Sequence, residues 1–189
     1  VIEDLEVSLA ALREELHVRA ENSGSIVGPV VFGDDGDRVD CAKLGKGGYS
    51  VPSIVEPEYI QISKCTADFV LLVEKGTQWN RLSEDKFWRR YNCILLTGNG
   101  QPPRGVRRLA RRLHEDYNLP VYVLVDNDPW GYYIYSVVKQ GSINLAFESQ
   151  RMAIPKAKFI GQVMTGESDL RRIEDVDGAA LTYAEVKAI

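Results

Sequence analysis

Three short runs at residues 69–73, 93–97 and 121–125 constrain this chain most. Each is nearly continuous in apolar residues, without the alternation of a half-solvated strand, and so reads as a strand buried on both faces of a parallel sheet. The segments between them read as helices, over about 78–90 and 104–117, with a further helix over about 131–139. Strand and helix alternating in this order predict an α/β fold with right-handed crossovers. Two later apolar stretches, 144–147 and 158–161, are candidate extra strands.

The residues just past those runs carry the chemistry. The third run leads into Asp126-Asn-Asp128-Pro-Trp-Gly131, and the first ends at Glu74. Residues i and i+2 of a strand share a face, and ligands in open α/β sheets bind beyond the carboxyl ends of the strands. Glu74, Asp126 and Asp128 are therefore expected to converge on one sheet edge. Such a cluster repels itself unless it holds a cation, and an all-oxygen donor set favours magnesium. The plainer alternative makes the aspartates turn and helix-capping residues, with Asp128 just before Pro129 at a helix start. Lys75 would point to the opposite face if the strand continued past Glu74.

The N-terminal third has a different texture. Leu5, Leu9, Leu12 and Leu16 recur at helical spacing, which predicts an amphipathic helix over 2–16. Val30-Val-Phe32, a Gly/Asp-rich turn and Arg38-Val-Asp40 predict a hairpin. Asp34, Asp35 and Asp37 lack the later ligands of a calcium loop, and Gly45-Lys-Gly-Gly48 lacks phosphate-loop spacing, so both read as turns or loops. Three divisions are expected: a helix and β-rich extension over 1–65, an α/β core over 66–165, and a charged segment over 166–189.

The net charge of −4 excludes a uniformly basic nucleic-acid binder. Its distribution is uneven: from Lys86 to Arg112 there are Lys86, Arg89, Arg90, Arg104, Arg107, Arg108, Arg111 and Arg112, and no acid. That window is either a solvated helix face or a surface for phosphate. Cys41, Cys65 and Cys93 are three scattered thiols without zinc or disulfide spacing, which points to a reducing cytosol. His17 and His114 lie too far apart in sequence to suggest a shared site, and His114 reads as a surface residue. No apolar stretch reaches membrane-spanning length. No G-x-G-x-x-G follows a strand, which disfavours a dinucleotide-binding domain. The first residue is Val1 rather than methionine, the expectation for a fragment or processed product.

Val73-Glu-Lys75, Thr97-Gly-Asn-Gly100 with Pro102 and Arg107, Leu119-Pro-Val-Tyr122, Asp126-Asn-Asp-Pro-Trp-Gly131 and Gly141-Ser142 together resemble a known family. So do Val1-Ile-Glu-Asp-Leu-Glu6 and Arg13-Glu-Glu-Leu-His-Val18. The order of elements is similar to the Toprim fold of topoisomerases, primases and some nucleases. The motif set is similar to the A subunit of topoisomerase VI and to the related meiotic double-strand-break proteins, over most of residues 1–161. The resemblance implies that Glu74, Asp126 and Asp128 bind Mg2+ beside a scissile phosphate, with Glu74 also a candidate general acid or base. It implies that Arg107, with Arg104, Arg108 and Arg111, contacts the backbone of double-stranded DNA. It further implies an A-subunit homodimer joined to an ATP-binding B subunit in an A2B2 assembly, acting on cytoplasmic, nucleoid-associated DNA. The chain departs from the family pattern at Pro103, where an acid is common, and at Val106, where threonine is common. The family's nucleophilic tyrosine lies in an upstream winged-helix domain. None of the nine tyrosines here has that context, and Tyr132, Tyr133 and Tyr135 read as helix residues. Two other readings stay open: a Toprim nuclease or primase-like enzyme, and a non-catalytic α/β binding module whose acids only cap helices.

Overall fold

A computed structural model describes residues 2–9, 11–34, 36–142 and 148–160. The three apolar runs form β6 (Phe69–Val73), β7 (Cys93–Thr97) and β8 (Val121–Leu124), and a fourth strand, β9 (Lys158–Ile160), follows. β7, β6, β8 and β9 lie side by side in that order, all parallel. Between them run α2 (Gly76–Glu84), α3 (Phe87–Arg90), α4 (Arg104–Tyr117), α5 (Pro129–Gln140) and the short α6 (Ser149–Met152). The fold is thus α/β with a parallel-containing sheet flanked by helices. The candidate strand at 144–147 and the segment 166–189 lie outside the described residues.

Strand periodicity divides the interior into two cores. Val70, Leu72, Ile94, Leu96, Val121 and Val123 face α4 and α5, against Val106, Leu109, Leu113, Ile134 and Val138. Leu71, Val73, Cys93 and Leu95 face the other way, onto Trp79 of α2 and Trp88 of α3. The helix expected over 78–90 is two helices, because Lys86 adopts a left-handed conformation (φ 51°) that a continuous helix excludes.

The N-terminal extension does not stand apart. β1 (Ser25–Val27) and β4 (Tyr49–Ser50) add antiparallel strands to the β7 edge of the main sheet. The expected hairpin is β2 (Val30–Asp34) with β3 (Asp37–Asp40), and β5 (Ile60–Cys65) completes a second sheet in the order β3-β2-β5. Val30, Phe32 and Ile60 of that sheet bury into the same core as β6 and β7.

The leucine-rich N-terminal helix is shorter than expected. α1 covers Ile2–Leu9, and its apolar stripe is turned to solvent, with Leu5 49 % and Leu9 59 % exposed. Glu6 is buried instead: its carboxylate takes the Arg13 guanidinium (3.1 and 2.8 Å) and the Arg13 N–H (2.9 Å). That folds residues 11–18 back into turns and places Leu12 and Leu16 outside the helix. His17 completes the reversal in a left-handed conformation.

The basic window is the largest departure from expectation. Arg104 binds Glu14 through two bonds (2.7 and 2.9 Å) and Glu148 through another pair, one of them 2.8 Å. Arg108 grips both oxygens of Glu56 (2.9 Å each), which also takes Arg151 (2.7 Å). Arg111 donates to the Ala153 carbonyl and pairs with Glu115, and Arg112 is buried on the carbonyls of Val55 and Ile60. Arg107 is 6 % exposed and its Nε finds no partner among the described residues. Arg104, Arg108, Arg111 and Arg112 thus hold distant segments against α4, and Arg107 is buried among them; contact of Arg104, Arg107, Arg108 and Arg111 with DNA phosphate stays an expectation. His114 also turns inward, its Nδ1 2.8 Å from the Leu119 carbonyl.

Removing one partner of a buried ion pair leaves its counterpart uncompensated. Arg104→Ala strands two carboxylates, whereas Glu148→Ala leaves Arg104 still bound to Glu14. Urea denaturation is expected to show a loss of about 3–5 kcal/mol for Arg104→Ala and a smaller loss for Glu148→Ala. Equal, sub-kcal losses would mean that these pairs are only surface contacts.

Candidate metal centre

The sheet register assembles the site. β6 and β8 run parallel with Val73 beside Leu124, so both strands end at one level. Glu74 follows β6, and its N–H donates to the Leu124 carbonyl (2.9 Å). Asp126 follows β8 by two residues, and its N–H donates to the Glu74 carboxylate (Oε2, 3.0 Å). The loop after β7 closes the same edge: Gly100 N–H donates to the Glu74 carbonyl (2.8 Å).

Asp128 starts α5. Its backbone is extended, its Oδ1 accepts from Gly131 N–H (2.7 Å), and Pro129 occupies the first turn. This is the helix-capping role, and it engages only one of the two Asp128 oxygens. The turn is tight enough to require Gly131, since a Cβ there would sit 2.1 Å from the Asp126 carbonyl. Tyr132 supports the turn by donating to Asn127 Oδ1 (3.1 Å) while its ring stacks on Phe159. Trp130 and Tyr133, 58 % and 40 % exposed, meet edge to face on the solvent side of α5.

Lys75 departs from the sequence expectation. β6 stops at Val73, so Lys75 is not a strand residue but the residue capping α2, and its Nζ pairs with Asp126 Oδ2. No local signal marks this pairing, which joins residues 51 positions apart.

Burial, followed by repulsion from Asp126 and Asp128, pushes the Glu74 carboxyl above its ordinary range; the Asp126 N–H and Lys75 oppose this. Attraction to Asp126 raises the Lys75 ammonium. Among the described residues, no three carboxylate, histidine or thiol side chains close into a metal cage. Mg2+ needs none, since it binds through one or two carboxylates and keeps several waters. The donor set fits such an ion: all oxygen, mutually repelling, half-exposed and at a strand-end crevice. A broad groove elsewhere, lined by Phe32, Asp34, Arg38, Tyr59 and Gln61, shares no residue with this edge.

Residues 69–188 match the family model for the Toprim domain of the topoisomerase 6 A subunit and Spo11, and residues 20–66 match the all-beta domain in DNA topoisomerase VI alpha subunit. The chain belongs to the family of topoisomerase 6 A subunits and Spo11. It is 48 % identical over 164 residues to the A subunit of type 2 DNA topoisomerase 6 from Pyrococcus abyssi, an alignment covering 87 % of this chain and 42 % of that protein. Against the protein of the same name from Aeropyrum pernix it is 46 % identical over 165 residues, with the same coverage. Against the A3 subunit of DNA topoisomerase 6 from Oryza sativa subsp. indica it is 39 % identical over 189 residues, covering 99 % of this chain and 42 % of the relative. The chain therefore spans about two fifths of the length of these curated relatives. Toprim domains in general bind a divalent metal. No described helix is long and apolar enough to cross a membrane.

The geometry has two measurable consequences. A carboxyl whose folded-state pKa is raised binds its proton more tightly in the folded chain, so its contribution to stability falls as pH rises through that pKa. Glu74→Gln is expected to be more stable than the parent at pH 7, the gain vanishing near pH 4, where the unfolded carboxyl is protonated as well (ordinary pKa about 4.3). Thermal melts across that range check it, and a parent that is the more stable at pH 7 would contradict it. Gly131→Ala, with no room for its methyl, is expected to destabilise by about 1–3 kcal/mol and to disturb the Asp126 turn, read by denaturation and by the Asp126 amide shift.

Proposed function

We propose that this chain is the Toprim region of a type II topoisomerase A subunit, which holds Mg2+ at the edge formed by Glu74, Asp126 and Asp128, through one or two of these carboxylates and waters, against a phosphate of double-stranded DNA. The observation that supports this most is the shared strand-end level that puts Glu74 and Asp126 in direct contact on a Toprim sheet. The ion would stabilise the negative charge that develops on the phosphate and on the leaving oxygen during phosphodiester cleavage. Glu74 accepts the Asp126 N–H, which orients the Glu74 carboxylate, and burial raises its pKa, so it is the candidate proton carrier of the edge. Asp128 positions the α5 turn while presenting its second oxygen.

Breakage and religation would use a tyrosine outside residues 1–189, supplied within an A-subunit homodimer paired with an ATP-binding B subunit on nucleoid DNA. The relatives' names and the motif set support that assignment. With Arg104, Arg108 and Arg111 engaged internally and Arg107 buried, the duplex would lie along the carboxylate edge itself, where Lys75, Trp130 and Tyr133 are exposed.

Calorimetry tests the metal site. Saturable Mg2+ binding is expected for the parent chain and lost in Glu74→Ala/Asp126→Ala, and Asp126→Asn should lower affinity by at least about tenfold. In the full-length assembly Asp126→Asn is expected to abolish DNA cleavage. Near-normal cleavage would remove the carboxylates from the mechanism, and cleavage by the isolated chain without a covalent tyrosyl link would reassign it as a Toprim nuclease.

A further inference from the structure

The site already contains a cation. Lys75 Nζ lies on Asp126 Oδ2, and no other ion pair involving Glu74, Asp126 or Asp128 occurs among the described residues. The other two carboxylates satisfy themselves on backbone N–H groups, Glu74 on Asp126 and Asp128 on Gly131. Lys75 is thus the charge that lets three acids share one strand-end edge. Its side chain is 52 % exposed, against 25 % for Asp126, and it reaches in from the start of α2 on a flexible four-carbon stem.

We infer that Lys75 is an exchangeable counter-ion, a positioning residue that occupies Asp126 until a divalent metal displaces it. This rests on the metal reading above. An ammonium and an inner-sphere ion at Asp126 Oδ2 repel each other, which favours release of the ammonium when the ion binds. Exchange releases Lys75 beside an edge whose negative charge the ion now neutralises. The partner chemistry left for the ammonium is an anion arriving from outside, and a DNA phosphate is one. Metal entry would thereby turn the lysine from an internal pair into a phosphate contact. A glutamine or methionine here would leave the acids unpaired without metal and offer nothing to phosphate afterwards.

The test uses Mg2+ alone with the chain and with Lys75→Met, Lys75→Arg and Asp126→Asn, by calorimetry. With its competitor removed, Lys75→Met is expected to bind Mg2+ roughly fivefold more tightly than the parent, the scale of a half-exposed pair. Lys75→Arg, which keeps a cation, should stay near the parent. A second measurement needs no variant: amine acylation with mass spectrometry should show Lys75 becoming more reactive on adding Mg2+, saturating at the calorimetric concentration, while Lys64 and Lys86 do not change. Unchanged or weaker affinity in Lys75→Met, with binding still weakened in Asp126→Asn, overturns the exchange and leaves the metal reading standing. Mg2+-independent acylation of Lys75 overturns it equally. No saturable binding by either the parent or Lys75→Met overturns both.

Discussion

The parallel register that sets Val73 beside Leu124 governs the rest of the functional edge. It ends two buried strands at one height, so the next residues emerge together, and the chain ties them with two hydrogen bonds: Glu74 N–H to Leu124, and Asp126 N–H to the Glu74 carboxylate. A shift of one residue would turn every side chain of β8 to the other face and separate Glu74 from Asp126. That register is held by burial. Val70, Leu72, Val121 and Val123 are all at most 2 % exposed, and the odd-numbered residues of β6 are sealed by Trp79 and Trp88. The stability of the sheet thus lies in apolar packing and leaves the strand ends free to carry repelling acids.

Charge is handled differently in the two halves of the molecule. Around α4, guanidinium groups reach acids and carbonyls that belong to distant segments: Glu14, Glu56, Glu148, Val55, Ile60 and Ala153. Planar forks satisfy several acceptors at once, which suits them to hold an N-terminal segment, a β-rich extension and α6 against one helix. At the carboxylate edge the balance is reversed, with three acids and one half-exposed lysine. The first arrangement is closed and structural; the second is open and leaves three acids against one lysine.

Much of this was legible along the chain. Strands at 69–73 and 93–97 and the helix at 104–117 coincide with β6, β7 and α4, because continuous apolar runs and a strong helical period report burial directly. The D-x-D-P turn located Asp126 and Asp128 and the start of α5, since proline and glycine at those spacings leave the backbone few options. Less legible was the leucine stripe of residues 2–16. Its helix stops at Leu9 because burying the Glu6–Arg13 pair, seven residues apart, outweighs continuing the helical period.

Local pattern, then, determined the α/β class, the strand ends and the candidate carboxylates, because each depends on residues within a few positions of one another. Tertiary structure alone decided where the cations go. An arginine-rich helix has the same sequence whether it faces a phosphate or a buried carboxylate, and Arg104 meets Glu14 across 90 positions. Lys75 likewise joined the site only because β6 stops one residue before Glu74 and α2 begins at Gly76, which turns its side chain back onto Asp126, 51 residues on. Coulomb attraction acts through space, and the fold sets those distances.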